Sequence, residues 1–179
     1  VVGGTVTTNG KIDQDFTALA GSVNVHASTS DDVRVVAGEV VVAEFVGGDL
    51  FVLAGRLKVL SSATIAGNIF FYGGEAEISG SVNGSIMGSA ETMRVDSNVG
   101  GSIDVGVAKS LTLGDRASVV GDVKYVSTND LIRAQNAVVQ GDVLRGSLPV
   151  ATPVSDHENV LLTLFISLFA TLSLYLVFR

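Results

Sequence analysis

Cysteine is absent from this 179-residue chain, so it holds no disulfide and no thiolate nucleophile. Tryptophan is also missing, and aromatic residues are only 6% of the total. Charged residues make up 16%, and acidic ones outnumber basic ones to give a formal charge of −7. That balance offers no basic footprint for a phosphate backbone, so nucleic acid is excluded as a partner. Two histidines, His26 and His157, stand far apart and form no paired-imidazole metal site. No G-x-S-x-G elbow, Ser-His-Asp grouping or cofactor signature stands out, and no loop is long enough to wall a cleft. An enzyme is therefore not expected, and no cofactor or metal. Proline occurs twice, at Pro149 and Pro153.

What is abundant is Gly, with 21 copies, and apolar residues at 47%. That much Val, Ile and Leu argues against disorder. The apolar residues are organised by a repeat. A small polar residue recurs as Asp15, Asp32, Asp49, Asn68, Ser85, Ser102, Asp122 and Asp142, at gaps of 17, 17, 19, 17, 17, 20 and 20 residues. One residue after each anchor stand Phe16, Val33, Leu50, Ile69, Ile86, Ile103, Val123 and Val143. Three residues before each stand Ile12, Thr29, Val46, Ile65, Val82, Val99, Val119 and Val139, of which Thr29 alone is polar. Eight and ten residues after the first five anchors come Val23/Val25, Val40/Val42, Leu57/Val59, Ala76/Ile78 and Met93/Val95. The sixth anchor matches as Leu111/Leu113 once a single inserted residue is allowed.

Each unit thus holds three short stretches of period-two alternation separated by Gly, Asp, Asn or Ser corners. A five-residue stretch cannot fold alone, but coils stacked at ~4.8 Å align like positions into continuous inner ladders. The pattern predicts an all-β fold, a three-sided parallel β-solenoid over residues 1–146 with about eight coils of 17–20 residues. Gly48, Gly67, Gly84, Gly101, Gly121 and Gly141 precede their anchors, where a sharp corner is expected to need φ > 0. The anchor side chain is expected to cap its own turn. A Ca²⁺ role for the Asp row is disfavoured, because three anchors are neutral and no GGxGxDxUx pattern occurs.

The phrases "GGDLFVLAG" (47–55), "AGNIFFYGG" (66–74), "VNGSIMGSAE" (82–91) and "VGGSIDV" (99–105) resemble bactofilins and the wider set of polymer-forming β-helical cytoskeletal proteins. The resemblance covers residues 1–146 and rests on repeat rhythm and corners. It implies a right-handed helix and nucleotide-independent, end-to-end self-assembly into filaments. The end coils, "VVGGTVTTNGKI" and "AVVQGDVLRG", carry no amphipathic helix and read as bare, which suits strand addition between copies. Val1, Val2, Val6, Ile12, Val138, Val139, Val143 and Leu144 are the expected end contacts. Phe51, Phe70, Phe71 and Tyr72 form the one aromatic cluster, read as partly core and partly lateral packing.

Residues 147–159 form a proline-containing linker, closed by a capping box of Ser155 and Glu158. Val160–Phe178 is nineteen residues without a charge, long enough at ~1.5 Å per residue to nearly cross a ~30 Å hydrocarbon core. A transmembrane anchor is expected, a feature that soluble bactofilins usually lack. Thr163, Ser167 and Thr171, with Ala170 beside them, give it a small-residue face for helix packing. Arg179 after the segment, against Asp156 and Glu158 before it, places the solenoid outside the cytoplasm. Val at position 1 in place of Met agrees with a processed, exported chain; the alternative is the cytoplasmic face of the membrane. The competing function is a monomeric surface module for cell-wall glycan or a partner protein.

Overall fold

In the computed structural model, residues 1–146 are described. The linker, the apolar segment 160–178 and the packing face of Thr163, Ser167, Ala170 and Thr171 lie outside the described residues. No helix among the described residues is long and apolar enough to cross a membrane. The chain divides into two units, Val1–Leu148 and Pro149–Arg179.

Residues 1–146 are all-β and wind as a parallel solenoid of about nine turns. Six long strands carry most of the wall: β1 (Val2–Ile12), β2 (Phe16–Thr29), β3 (Val33–Val42), β5 (Leu50–Val59), β7 (Ile69–Ile78) and β9 (Ile86–Val95). A seventh, β11 (Ile103–Leu113), precedes the shorter β13 (Val123–Val126) and β16 (Val143–Gly146). Between them lie two-residue rungs: β4 (Phe45–Val46), β6 (Thr64–Ile65), β8 (Ser81–Val82), β10 (Asn98–Val99), β12 (Ser118–Val119), β14 (Ile132–Arg133) and β15 (Val138–Val139). All pair in parallel along one path, with β1 added beside β2 and β14 beside β11. The ninth turn comes from residues before Asp15, which lack an anchor but pair with β2 from Val2↔Leu19 to Ile12↔Thr29.

The ladders read from the repeat are those of the fold. Phe16, Val33, Leu50, Ile69, Ile86, Ile103 and Val123 lie on one register line, all buried. Val23, Val40, Leu57, Ala76, Met93 and Leu111 form a second, and Thr29, Val46, Ile65, Val82, Val99 and Val119 a third. The inserted residue is a register shift between Val107 and Ser110. One extra residue bulges there without disturbing the rungs beyond it. Thr29 is fully buried, and its Oγ1 has no hydrogen-bond partner among the described residues.

The corners work differently from the expectation. Positive φ occurs at Gly10 and Gly88 and at none of the corner glycines. What forbids a side chain there is the anchor of the preceding coil. A Cβ on Gly84 would stand 2.6 Å from Asn68 Oδ1, and on Gly101 2.3 Å from Ser85 Oγ. The same collision holds at Gly48, Gly67, Gly121 and Gly141. Nor does the anchor cap its own turn: it accepts the backbone N–H of the next anchor. Asp49 N–H donates to Asp32 Oδ1 at 2.8 Å, Asn68 N–H to Asp49 Oδ1 at 2.7 Å, and Ser85 N–H to Asn68 Oδ1 at 2.9 Å. Ser102, Asp122 and Asp142 continue the series at 3.0, 3.1 and 3.0 Å, and Asp32 N–H begins it on Asp15 at 3.3 Å. A polar side-chain ladder therefore runs the length of one edge, giving turn backbone a partner that the strand ladders leave out.

Gly88 is a special case inside the core. It lies on the inward line Val52–Phe71–Gly88–Val105, with Phe71 fully buried beside it. Its φ is 128°, and a Cβ would stand 2.0 Å from the Phe71 carbonyl oxygen. The glycine is required by its positive φ and by the close approach of the Phe71 backbone.

Candidate assembly interface

At the N-terminal end, β1 pairs with β2 alone among the described residues. Val1 and Val2 are 70% and 78% exposed, Ile12 is half-buried, and Val6 is buried inside the first coil. Of these expected contacts, Val6 offers a stacked copy its backbone and not its side chain. Val6, Thr8 and Gly10 stand in register with Val23, Val25 and Ala27. Phe16 is the first rung of its own line and larger than its neighbour Val33, yet it stays buried. The amino group of Val1 donates to Thr17 O at 2.7 Å, and Leu19 N–H donates to Val1 O at 2.9 Å.

At the C-terminal end, Val138, Val143 and Leu144 are exposed and Val139 half-buried. Polar side chains finish the turns beside these exposed residues. Arg145 sits in register with Tyr125, on the inward line. Its guanidinium donates to Ser127 O at 3.2 and 3.0 Å, to Thr128 O at 2.7 Å and to Asp130 Oδ1 at 2.5 Å. Arg133 donates to Ala137 O at 3.1 and 2.8 Å. Tyr125, nearly buried, accepts the Leu131 N–H at 3.2 Å. Two arginines and a tyrosine thus satisfy carbonyls and an amide that the last turn would otherwise leave unpaired. The signal was in the sequence: an arginine three residues after the anchor, where the other coils place inward residues. The outer backbone edges of β14, β15 and β16 have no strand partner among the described residues.

No family model, curated protein or solved structure matches the chain. Function therefore rests on the surfaces themselves.

Three surfaces carry information. Near the N-terminal corner, Asp15, Asp31 and Asp32 bring carboxylate oxygens within 4.8 Å of one another. Arg34 answers that charge, pairing with Asp15 at 2.5 Å and with Asp32. Its hydrogen bond holds the Asp15 carboxyl below the usual carboxylate range, against the opposing effect of burial. On a second face, Glu39, Arg56 and Glu75 form a cross-coil charge ladder at 3.9 and 3.1 Å, and Lys58 meets Glu77 at 3.3 Å. Exposed pairs of this kind contribute little each and mark a solvated wall.

The third surface is apolar. It has two outward rows, one running Thr17, Arg34, Phe51, Phe70, Met87, Asp104 and Lys124, the other Leu19, Val36, Leu53, Tyr72, Ser89, Gly106 and Val126. The aromatic cluster divides here: Phe71 enters the core, while Phe51 and Phe70 stack outside at 4.6 Å and 3°. Arg34 lies over the Phe51 ring, 5.6 Å from its centroid. Leu19, Leu53 and Tyr72 are 53%, 54% and 53% exposed, and a hollow of about 520 Å³ opens between the rows. Its lining is almost wholly aliphatic and aromatic, with few groups to bond sugar hydroxyls, so it suits an apolar partner better than a glycan.

Proposed function

We propose that the chain is a structural, self-assembling protein that polymerises through its solenoid end coils without nucleotide, the role that the resemblance to bactofilins implies. In this reading residues 160–178 anchor the assembly in a membrane, with the solenoid on the non-cytoplasmic side and Arg179 in the cytoplasm. The observation that carries it is the pair of sheet edges, β1 at one end and β14 to β16 at the other, that have no further strand partner among the described residues. Exposed strand edges are templates for another chain unless something covers them. The exposed Val1, Val2, Val138, Val143 and Leu144 border those edges and add apolar area to the joint. Stacking at the strand spacing also keeps the three inner ladders continuous from one copy to the next, completing a core that the end coils leave half-open. Identical ends repeated along a filament gain further from avidity.

Negative-stain microscopy of the purified chain in mild detergent, without nucleotide, tests the proposal. Filaments with stacked subunits are expected. Uniform single particles at high concentration refute it. Val143→Asp places a carboxylate in the joint and is expected to stop assembly while leaving β-rich circular dichroism intact.

A further inference from the structure

We propose that the apolar face is a binding site for a second copy of this chain, packed face to face and antiparallel, about a two-fold axis that crosses the rows at Phe70 and Tyr72. This contact is separate from the end joint and does not depend on it.

Three observations point to a copy of the same face as the occupant. The first is charge. A two-fold axis lying in the interface along the strands keeps each row opposite itself and reverses the order of its rungs. Centred at Phe70, it sets Arg34, two rungs before and already paired with Asp15 and Asp32, opposite Asp104, two rungs after, so that the guanidinium meets one further carboxylate, twice by symmetry. Asp104 is exposed and forms no ion pair among the described residues. The second is shape. The same operation sets Leu53 opposite Ser89, and Val36 opposite Gly106. Two large exposed side chains of one half, Val36 and Leu53, thus meet small residues of the other, while Leu19 meets Val126 and Tyr72 meets its own counterpart. Ser89, Gly106 and Val126 border a second hollow of about 590 Å³ that can receive them. Nothing inside the molecule requires glycine at 106: a Cβ there would meet only Ser89 Cβ, at an ordinary 3.8 Å. A glycine unforced from within, in the middle of a strand, costs conformational entropy, and an approaching partner supplies the reason for it.

The third is area. Seven rungs at ~4.8 Å by five residues at ~3.3 Å present roughly 550 Å² per copy, or about 1,100 Å² in the pair. A specific interface needs about 1,000 Å² or more, so the face suffices only if all seven rungs overlap. The axis at Phe70 and Tyr72 is the midpoint of the rows and the one that overlaps them all.

Because the chain has no cysteine, introduced thiols are unique reporters. Full-length chain in mild detergent would be treated with a short bis-maleimide. Tyr72→Cys, on the axis, is expected to cross-link to a dimer. Val36→Cys alone is not, since its symmetry mate lies four rungs, about 19 Å, away. Val36→Cys combined with Gly106→Cys is expected to cross-link and provides the check should Tyr72→Cys weaken the face. Asp104→Arg should lower the yield on the order of tenfold by facing Arg34 with a like charge. Adding Val143→Asp should abolish filaments seen by microscopy yet leave the Tyr72→Cys dimer, which separates this contact from the end joint. Self-linking of Val36→Cys as efficient as that of Tyr72→Cys would mean parallel copies and overturn the proposal. So would loss of the dimer with Val143→Asp, or no cross-link from any variant, the outcome if lipid or another protein covers the face.

Discussion

The corner ladder yields the sharpest test, because two physical reasons for glycine make opposite predictions at Gly84. A glycine needed for left-handed backbone tolerates Asn nearly as well as itself, since Asn populates that region with little strain, and disfavours Ala moderately. A glycine needed for space rejects both. At Gly84 a Cβ would stand 2.6 Å from Asn68 Oδ1, 2.6 Å from Gly67 O and 2.8 Å from Gly67 C. Two of these three atoms are backbone of the preceding coil and cannot swing aside. Overpacking of this kind costs about 1–3 kcal/mol. For Gly84→Ala and Gly84→Asn alike we expect about 2–3 kcal/mol, or a fall of roughly 4–12 °C in the midpoint of thermal unfolding. Asn68→Ala removes the acceptor for Ser85 N–H and should cost about 1–2 kcal/mol by leaving that amide unpaired. In the double variant Gly84→Ala/Asn68→Ala the side-chain clash is gone but the Gly67 carbonyl remains, so rescue is partial. Thermal unfolding followed by far-ultraviolet circular dichroism reads all four. A Gly84→Asn variant as stable as the parent, beside a destabilised Gly84→Ala, would refute the steric account.

Thr29→Val replaces a fully buried hydroxyl that has no partner by a methyl group of similar shape, and is expected to raise stability by about 1–2 kcal/mol in a denaturant titration. Phe71→Ala removes a fully buried ring whose neighbour on the inward line is Gly88, without a side chain to fill the gap, and should cost about 3–5 kcal/mol in the same titration. Asp96 accepts the Arg116 backbone N–H at 2.9 Å and its guanidinium at 3.2 and 2.9 Å, and these hold its carboxyl below the usual range, as the Arg34 hydrogen bond does for Asp15. A depressed carboxyl stabilises the fold above its unfolded value and loses that contribution as pH falls through the folded one. The melting temperature should therefore drop below about pH 4, and Asp96→Asn should make that acid limb shallower. Arg145→Ala strips donors from the Ser127 and Thr128 carbonyls, and hydrogen exchange should then report faster opening of the last turn with the central coils unchanged.

Where a ladder repeats one kind of residue, the sequence was enough to place it. The apolar lines one residue after and three before each anchor fell on the observed register, and the inserted residue before Leu111 is the observed shift. Periodicity is legible because strand stacking makes every copy face the same neighbour. The corner was legible in place but not in cause. Gly84 and its counterparts look like turn glycines when one coil is read alone, and their reason lies one full period away, in the side chain of the anchor behind. The turn before Asp15 was legible as a coil but fell outside the count of eight, which followed the anchors, because it carries no anchor of its own. At the C-terminal end the repeat rule breaks: Arg145 stands where other coils bury Val105 or Tyr125. A charge on an inward line is incompatible with another coil of the same kind built directly upon it, unless its donors are already engaged. Those of Arg145 are engaged, with three carbonyl contacts and one carboxylate. The last turn can therefore keep its arginine and still present β16 as an edge without a further strand partner among the described residues, the edge on which the proposed end joint depends.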